Sequence, residues 1–128
     1  MKTVFATMLL GLTLFPLTAL GQEGDAAAGA NVFKKCAACH NVENDKSKIG
    51  PSLQGVLGRQ PGTVPGFAYS AGMKSYGEGK VWDEALLKTY LPDPRGQVKG
   101  TKMAFAGLKK EQEVADVIAY LKQFSPAN

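Results

Sequence analysis

Histidine and cysteine are scarce in this chain, whose 128 residues include one histidine and two cysteines. A single imidazole excludes any site that needs two histidines from one chain, and two thiols are too few for a disulfide-dense scaffold. The composition, 45% hydrophobic and 20% charged, is that of an ordinary globular domain. It argues against a disordered tail, a collagen-like repeat or a multi-span membrane protein. The length predicts one domain.

Alternating apolar and polar residues, which mark a half-buried strand, are missing as well, so the sequence predicts no β-sheet. Polar caps and apolar stripes at helical spacing predict helices instead. Four helices are expected to follow a capping residue: about Ala26 to Lys35 after Asp25, a short helix to about Ser75 after Ser70, Glu84 to Leu91 after Asp83, and a helix that begins at Pro94 after Asp93. The last helix is expected to span about Glu111 to Phe124, with its capping residue at Gln112 or nearby. Residues 41–66 form a long loop rich in glycine and proline, and such loops are usually functional or wrap around something.

The first 21 residues have the pattern of an export signal. Lys2 precedes an apolar stretch from Val4 to Leu17, and small residues follow it where signal peptidase cuts. We therefore expect a secretory signal peptide at 1–21, cleaved near Gly21, a functional domain at 22–128, and a location in the periplasm. An uncleaved membrane anchor is the alternative, although the stretch is at the short limit for a membrane span.

Both cysteines and the histidine stand together in Cys36-Ala37-Ala38-Cys39-His40, which is the C-x-x-C-H signature of c-type haem attachment. In this motif the two thiols add across the two haem vinyl groups and form thioether bonds. The next residue, His40, then lies under the iron as its proximal ligand. The sequence thus predicts one haem c per chain, bound covalently through Cys36 and Cys39.

Three other interpretations of the motif are weaker. A dithiol redox pair belongs between a strand and a helix of an α/β sheet, and no strand is predicted. Structural zinc needs four ligands, whereas Cys36, Cys39 and His40 supply three and the sequence has no other cysteine or histidine. A plain disulfide would leave the adjacent histidine without a role.

The single histidine also restricts the second axial position of the iron, because bis-histidine ligation is impossible within one chain. Methionine, lysine or an open site remain. Beyond the leader the methionines are Met73, in a polar glycine-rich segment, and Met103, in a loop before the last predicted helix. We predict that Met103 is the axial ligand. A thioether favours Fe(II), and an iron with both positions filled indicates an electron carrier rather than an oxygenase or peroxidase.

Residues 22–128 as a whole resemble a class I cytochrome c of the mitochondrial and purple-bacterial type. The match covers the domain from end to end, in order and nearly in spacing. Beyond Cys36 to His40 it is carried by Gly50 to Gly55, Gly58-Arg59, Pro65 to Ser70, Pro94 through Met103, and Ile118 to Leu121. The resemblance implies an all-α fold of about five short helices and long loops wrapped around one covalent haem, with the N- and C-terminal helices crossing.

The resemblance also implies roles for individual residues. The carbonyl of Pro51 would accept the ring N–H of His40, as partners of a metal-ligating histidine do. The residues around the haem propionates would be Arg59, Tyr69, Ser70, Trp82 and Thr101. Near the Met103 sulfur and along the haem walls would lie Tyr90, Leu53, Leu91 and Phe105. The first helix would pack through Gly29 and Phe33 against Tyr120 and Leu121 of the last.

The charge distribution favours protein partners over nucleic acid. The chain has a formal net charge of +4, one lower without the leader, and it carries no basic stripe. Seven basic residues instead lie in the segments that flank the attachment motif and Met103: Lys34, Lys35, Lys48, Arg95, Lys102, Lys109 and Lys110. Such a ring would steer redox proteins with acidic surfaces, at the membrane or in the periplasm, toward the haem edge.

From these observations we expect a monomeric carrier that moves one electron at a time between membrane redox complexes, without a small-molecule substrate. Two alternatives stay open at the level of the sequence. One is the haem c subunit, or the dedicated electron acceptor, of a periplasmic dehydrogenase. The other is a small haem enzyme with an open sixth site.

Overall fold

The computed structural model describes residues 23–126, so the predicted signal peptide and its cleavage site lie outside the described residues. Within that range the chain forms five helices and no strand, which confirms the all-α architecture. None of the helices in this part of the chain combines the length and the apolar character that a membrane crossing requires. They are α1 (Ala26–Phe33), α2 (Ala71–Gly77), α3 (Glu84–Tyr90), α4 (Pro94–Gln97) and α5 (Glu111–Lys122).

Side-chain caps begin the first four helices, as the sequence predicts. Asp25, Ser70, Asp83 and Asp93 each accept a hydrogen bond from the backbone N–H three residues further on, at 2.7 to 3.1 Å. These bonds satisfy donors that the first turn of a helix leaves without an intrahelical partner. Pro94 occupies the first position of α4, where the missing N–H of proline costs no helical hydrogen bond.

Helix ends differ from the prediction by one or two residues. α1 stops at Phe33, because the chain then tightens into turns in which the N–H of Cys36 donates to the Phe33 carbonyl at 2.8 Å. α2 runs two residues further than predicted, to Gly77, and α5 stops two residues earlier, at Lys122. The cysteine motif follows α1 in a turn.

The predicted cap of α5 is wrong. Lys110 occupies the N-cap position and makes no side-chain cap bond. Gln112 lies inside the helix, where its side-chain amide donates to the Asp116 carboxylate at 2.8 Å and to the Glu23 carbonyl at 3.2 Å. The amide therefore joins α5 to the segment before α1, a contact between distant parts of the chain that local sequence patterns do not reveal.

The most extensive helix–helix contact in the described chain joins α1 and α5. Gly29 permits it, because a Cβ atom at this position would lie 2.0 Å from the Asp116 carbonyl oxygen. The buried carboxylate of Asp116 accepts the backbone N–H of Asp25 at 2.8 Å, and the rings of Phe33 and Tyr120 pack with centroids 5.3 Å apart. The two ends of the domain thus hold each other, and the cysteine motif is presented at the end of α1.

An aromatic cluster links α2 to α3 on another side of the core. The ring centroids of Trp82 and Tyr90 are 4.8 Å apart, and each lies 6.0 Å from the centroid of Tyr76. Trp82 and Tyr90 are buried, at 7% and 5% exposure. Large aromatic side chains with this much burial contribute strongly to core stability, so the cluster stabilises this side of the core.

An ion pair between α3 and α5 gives a testable pH dependence. The hydrogen bond from Lys122, followed by that from Lys88, lowers the pKa of Glu84 from 4.5 to about 2. Its stabilisation is therefore complete above about pH 4.5 and is lost as the pH falls toward 2. Because these side chains are about half exposed, we expect Glu84→Gln to cost less than ~1 kcal/mol at pH 7.

Urea unfolding of Glu84→Gln at pH 7 and pH 3, at low and high salt, measures this effect. The loop variant Glu43→Gln removes the same charge without an ion pair between helices and is the control. A difference from wild type that persists at high salt, where exposed ion pairs are screened, would contradict the ion-pair explanation.

Candidate functional site

An apolar cavity of about 280 Å³ lies between the cysteine motif, the loop of residues 51–69, α3 and the loop after α4. A dry apolar cavity of about 150 Å³ already accommodates benzene, so this one suits a larger apolar group. Its lining contains every residue predicted for the haem site: Cys36, Cys39, His40, Pro51, Leu53, Arg59, Tyr69, Ser70, Trp82, Tyr90, Leu91, Thr101, Met103 and Phe105. The fold therefore brings together residues separated by up to 69 positions in the sequence.

His40 is held on one side of this cavity by two neighbours. Its Nδ1 lies 2.7 Å from the carbonyl oxygen of Pro51. A carbonyl can only accept, so Nδ1 must carry the proton and Nε2 keeps its lone pair. Burial lowers the pKa of His40, which favours the neutral imidazole. Gly50 lies against the ring, because a Cβ atom there would be 2.5 Å from Cε1 of His40.

The two cysteines occupy the turn between α1 and His40. The N–H groups of Cys39 and His40 both donate to the Cys36 carbonyl, at 3.0 and 2.9 Å, so the motif is a compact turn. Both thiols are half-buried and free of a disulfide. Burial raises the pKa of the Cys36 thiol, an effect that neighbouring Lys35 partly offsets. This turn presents two sulfurs and one imidazole to the same cavity.

Met103 lies in the methionine loop, residues 98–103, which follows α4 directly. The hydroxyl of Tyr90 donates to its sulfur at 3.3 Å, and its backbone N–H donates to Oγ1 of Thr101 at 3.1 Å. Burial raises the pKa of Tyr90 to about 12, so the phenol keeps the proton that it donates. The thioether is thus oriented from two directions.

Three hydroxyl groups in the cavity wall share one arrangement. Tyr69, Ser70 and Thr101 each accept a backbone N–H, from Val64, Met73 and Met103 respectively, at 3.1 Å. A hydroxyl that accepts in this way still has its own O–H to donate. The cavity is therefore lined by fixed hydroxyls that can donate to an acidic group.

Arg59 supplies positive charge beside these hydroxyls. Its guanidinium donates to the carbonyls of Gln54 and Ser52 at 3.0 and 2.9 Å, which fixes its position. Burial lowers the pKa of this guanidinium, although an arginine remains charged in proteins. The Tyr69 phenol, whose pKa is raised by burial, interacts with this charge. Carboxylates are the groups that such an environment binds best.

Several lining residues have no role predicted from the sequence. Phe67 belongs to the family match without an assigned function, and the helical spacing of Val117 predicts only that it is buried. Met73 also lines the cavity, although its sequence neighbours are polar. Gly50 is recognisable as part of a Gly-Pro turn, but its contact with the His40 ring depends on how the loop closes over that ring. No local pattern encodes this closure.

The seven predicted docking residues are all exposed. Four already have partners within the chain: Lys35 pairs with Glu113 at 3.1 Å, and three others donate to backbone carbonyls. A carbonyl leaves the lysine charge uncompensated, whereas Glu113 offsets that of Lys35. Lys35 and Lys102 also line the rim of the cavity.

The fold and this site define a class of protein, namely a small all-α domain that binds haem c through C-x-x-C-H. A family model described as cytochrome c matches residues 26–125. The chain belongs to the cytochrome c family.

Individual relatives agree with this assignment. The chain is 45% identical over 125 residues to cytochrome c2 of Blastochloris viridis, covering 97% of this chain and 94% of that protein. It is 48% identical over 102 residues to cytochrome c-550 of Nitrobacter winogradskyi, covering 79% and 92%. The solved structure of cytochrome c2 from Rhodospirillum centenum superposes with a TM-score of 0.75 at 50% identity, covering 80% of this chain and 100% of that one.

Family membership establishes the cofactor and the kind of activity. The chain carries a covalently attached haem c and is an electron-transfer protein rather than an enzyme. The residues present fit this group. Two thiols at the attachment spacing, an imidazole with a free Nε2 and an oriented thioether all face one apolar cavity.

Proposed function

We propose that this protein carries single electrons between redox proteins in the periplasm, through a haem c attached to Cys36 and Cys39 with His40 and Met103 as axial ligands. The observation that carries the proposal is that two potential iron ligands are oriented by hydrogen bonds in the same cavity. His40 is hydrogen-bonded to the Pro51 carbonyl, and Met103 is hydrogen-bonded to the Tyr90 hydroxyl. When bound, haem c supplies an iron that gains and loses one electron.

The chain's own residues prepare both axial positions. Pro51 keeps the proton on Nδ1 of His40, so that Nε2 remains available to a metal and the ring stays oriented. Tyr90 uses one lone pair of the Met103 sulfur and leaves another free. With two such donors bound, the iron would have no open coordination position for a substrate or for oxygen. This arrangement supports electron transfer without other chemistry.

The fixed hydroxyls and Arg59 support a second part of the proposal. Tyr69, Ser70 and Thr101 can each donate an O–H, and Arg59 supplies a half-buried positive charge. We assign these residues, together with Trp82, to the haem propionates. Burying carboxylates without such partners would be costly. These residues would therefore keep the haem in a single orientation. The apolar faces of the haem would pack against Leu53, Leu91 and Phe105.

The exposed basic residues define the partners in this proposal. Lys34, Arg95 and Lys110 are exposed, and Lys48, Lys102 and Lys109 keep their charge beside neutral carbonyls. A basic surface raises the association rate with acidic proteins and loses that advantage as salt screens it. We therefore propose that the monomer docks on membrane or periplasmic redox proteins through acidic surfaces.

The Met103→Ala variant tests the proposed ligation. We expect wild type to show a low-spin spectrum with a methionine-to-iron charge-transfer band and no binding of CO at neutral pH. The variant should lose the band completely, bind CO and show a lower reduction potential, since a thioether favours Fe(II). Visible spectra of both oxidation states and a redox titration of the exported holoprotein measure all three.

Met73→Leu is the matched test of the other methionine in the cavity. We expect it to keep the charge-transfer band, because leucine is a volume-conserving replacement. If Met103→Ala keeps the band and Met73→Leu loses it, the ligand assignment is wrong. If wild type itself is high-spin and binds CO, the electron-carrier mechanism fails as a whole.

A further inference from the structure

The helix α2 approaches the methionine loop more closely than a side chain would allow. A Cβ atom on Gly72 would lie 1.9 Å from the carbonyl oxygen of Lys99 and 3.5 Å from Cγ1 of Val98. Val98 is 1% exposed, so it has no space into which it could retreat. The backbone of α2 therefore rests directly on the backbone of the loop that carries Met103.

Two further contacts hold α2 in this position. The side chain of Lys102 donates to the Ala68 carbonyl at 3.1 Å, which ties the loop to the segment before α2. At the opposite end of the helix, a Cβ atom on Gly77 would lie 2.0 Å from the Pro61 carbonyl oxygen. The helix is thus fixed between the turn at Pro61 and the methionine loop.

The sequence of α2 would not by itself keep this helix folded. It has seven residues, two of them glycine, and isolated helices of this length are unstable in water. Each glycine in a helix interior lowers its stability further. The helix is therefore ordered by its neighbours, and a contact that orders a helix also restrains the neighbour by the same free energy.

We propose that α2 is a brace for the methionine loop and that Gly72 is its positioning residue, so that the contact between Gly72 and Lys99 keeps Met103 directed into the cavity. The inference rests on the proposed role of Met103 as the iron ligand. In this role α2 controls how readily another ligand displaces Met103 from the iron. A larger residue at position 72 must push the loop outward, because both contacting groups are backbone or fully buried.

Imidazole added to the ferric holoprotein is a suitable probe, since it competes with Met103 and the charge-transfer band reports the exchange. We expect Gly72→Ala to bind imidazole about tenfold more tightly than wild type, in the range expected when a packed contact is forced apart. Lys102→Gln, which removes the exposed tie to Ala68, should tighten binding about threefold. The haem must stay covalently attached in both variants.

Ser75→Ala is the control, because Ser75 is exposed on the same helix and alanine also raises helix propensity there. If helix propensity alone mattered, Gly72→Ala would strengthen α2 and weaken imidazole binding, which is the opposite sign. Unchanged or weaker binding in both Gly72→Ala and Lys102→Gln would overturn the brace. A wild type that lacks the charge-transfer band would instead overturn the proposed ligation, so the two failures are distinguishable.

Discussion

The Gly29→Val substitution is expected to destabilise the folded protein by about 3 kcal/mol or more, toward the upper end of the cost of overpacking. A Cβ atom at Gly29 would lie 2.0 Å from the carbonyl oxygen of Asp116 and 2.6 Å from its carbon. These are backbone atoms in the middle of α5, so no rotamer change can relieve the clash. The two helices must separate, and the buried bond from Asp25 to Asp116 must lengthen with them.

Denaturant unfolding of the holoprotein, followed by circular dichroism, measures this loss. Ala27→Val is the matched control, because Ala27 is exposed on the same helix and valine carries the same lower helix propensity there. We expect the control to cost less than about 1 kcal/mol. Equal midpoints for the two variants would show that the close approach of α1 and α5 is not what requires glycine.

The Gly50→Ala substitution is expected to disturb the iron site with little change in the rest of the fold. The new Cβ would lie 2.5 Å from Cε1 and 2.8 Å from Nδ1 of His40, so the ring must recede. The 2.7 Å contact between Nδ1 and the Pro51 carbonyl then breaks. Loss of such a partner typically lowers metal affinity by about 10- to 100-fold, and a less basic imidazole stabilises Fe(III) less.

We therefore expect Gly50→Ala to raise the reduction potential and to shift the spectrum of the ferric holoprotein. Gly55→Ala is the control. Its backbone has a φ of 68°, and a Cβ there would meet no heavy atom within 4 Å. It should cost about 1 kcal/mol or more of stability through backbone strain while leaving potential and spectrum at their wild-type values. Identical potentials in wild type and Gly50→Ala would show that the ring tolerates the added methyl group.

Local sequence patterns predict the elements of this fold well, for a physical reason. Asp25, Ser70, Asp83 and Asp93 act on donors only three residues away, so their role as caps is encoded within one turn. The same patterns fail at the start of α5, where Gln112 turns to Asp116 and to the Glu23 carbonyl. The partner that decides this case lies 89 positions away in the chain.

The candidate site also has a part that the sequence predicts and a part that it does not. The C-x-x-C-H motif indicates its chemistry through fixed spacing. The single histidine excludes a second imidazole from the chain, and the position of Met103 in a loop before the last helix then favours it as the second ligand. The orientation of these groups has a different origin. That Tyr90 donates to Met103, and that three wall hydroxyls each accept a backbone N–H, follows from the meeting of separate segments.

The helices, most of their caps, and the haem-attachment motif with its histidine can be predicted from the amino-acid sequence, because each depends on residue types within a few positions of one another. Met103 is predicted instead from the composition of the chain, which offers no second histidine. Which glycines must remain glycine is settled by tertiary packing instead. No local pattern in the sequence separates Gly50 and Gly72 from a glycine that faces open space, such as Gly55, and only the family resemblance singles out Gly29. What sets them apart is the backbone or ring that packs against each, and close packing is a property of the folded chain alone.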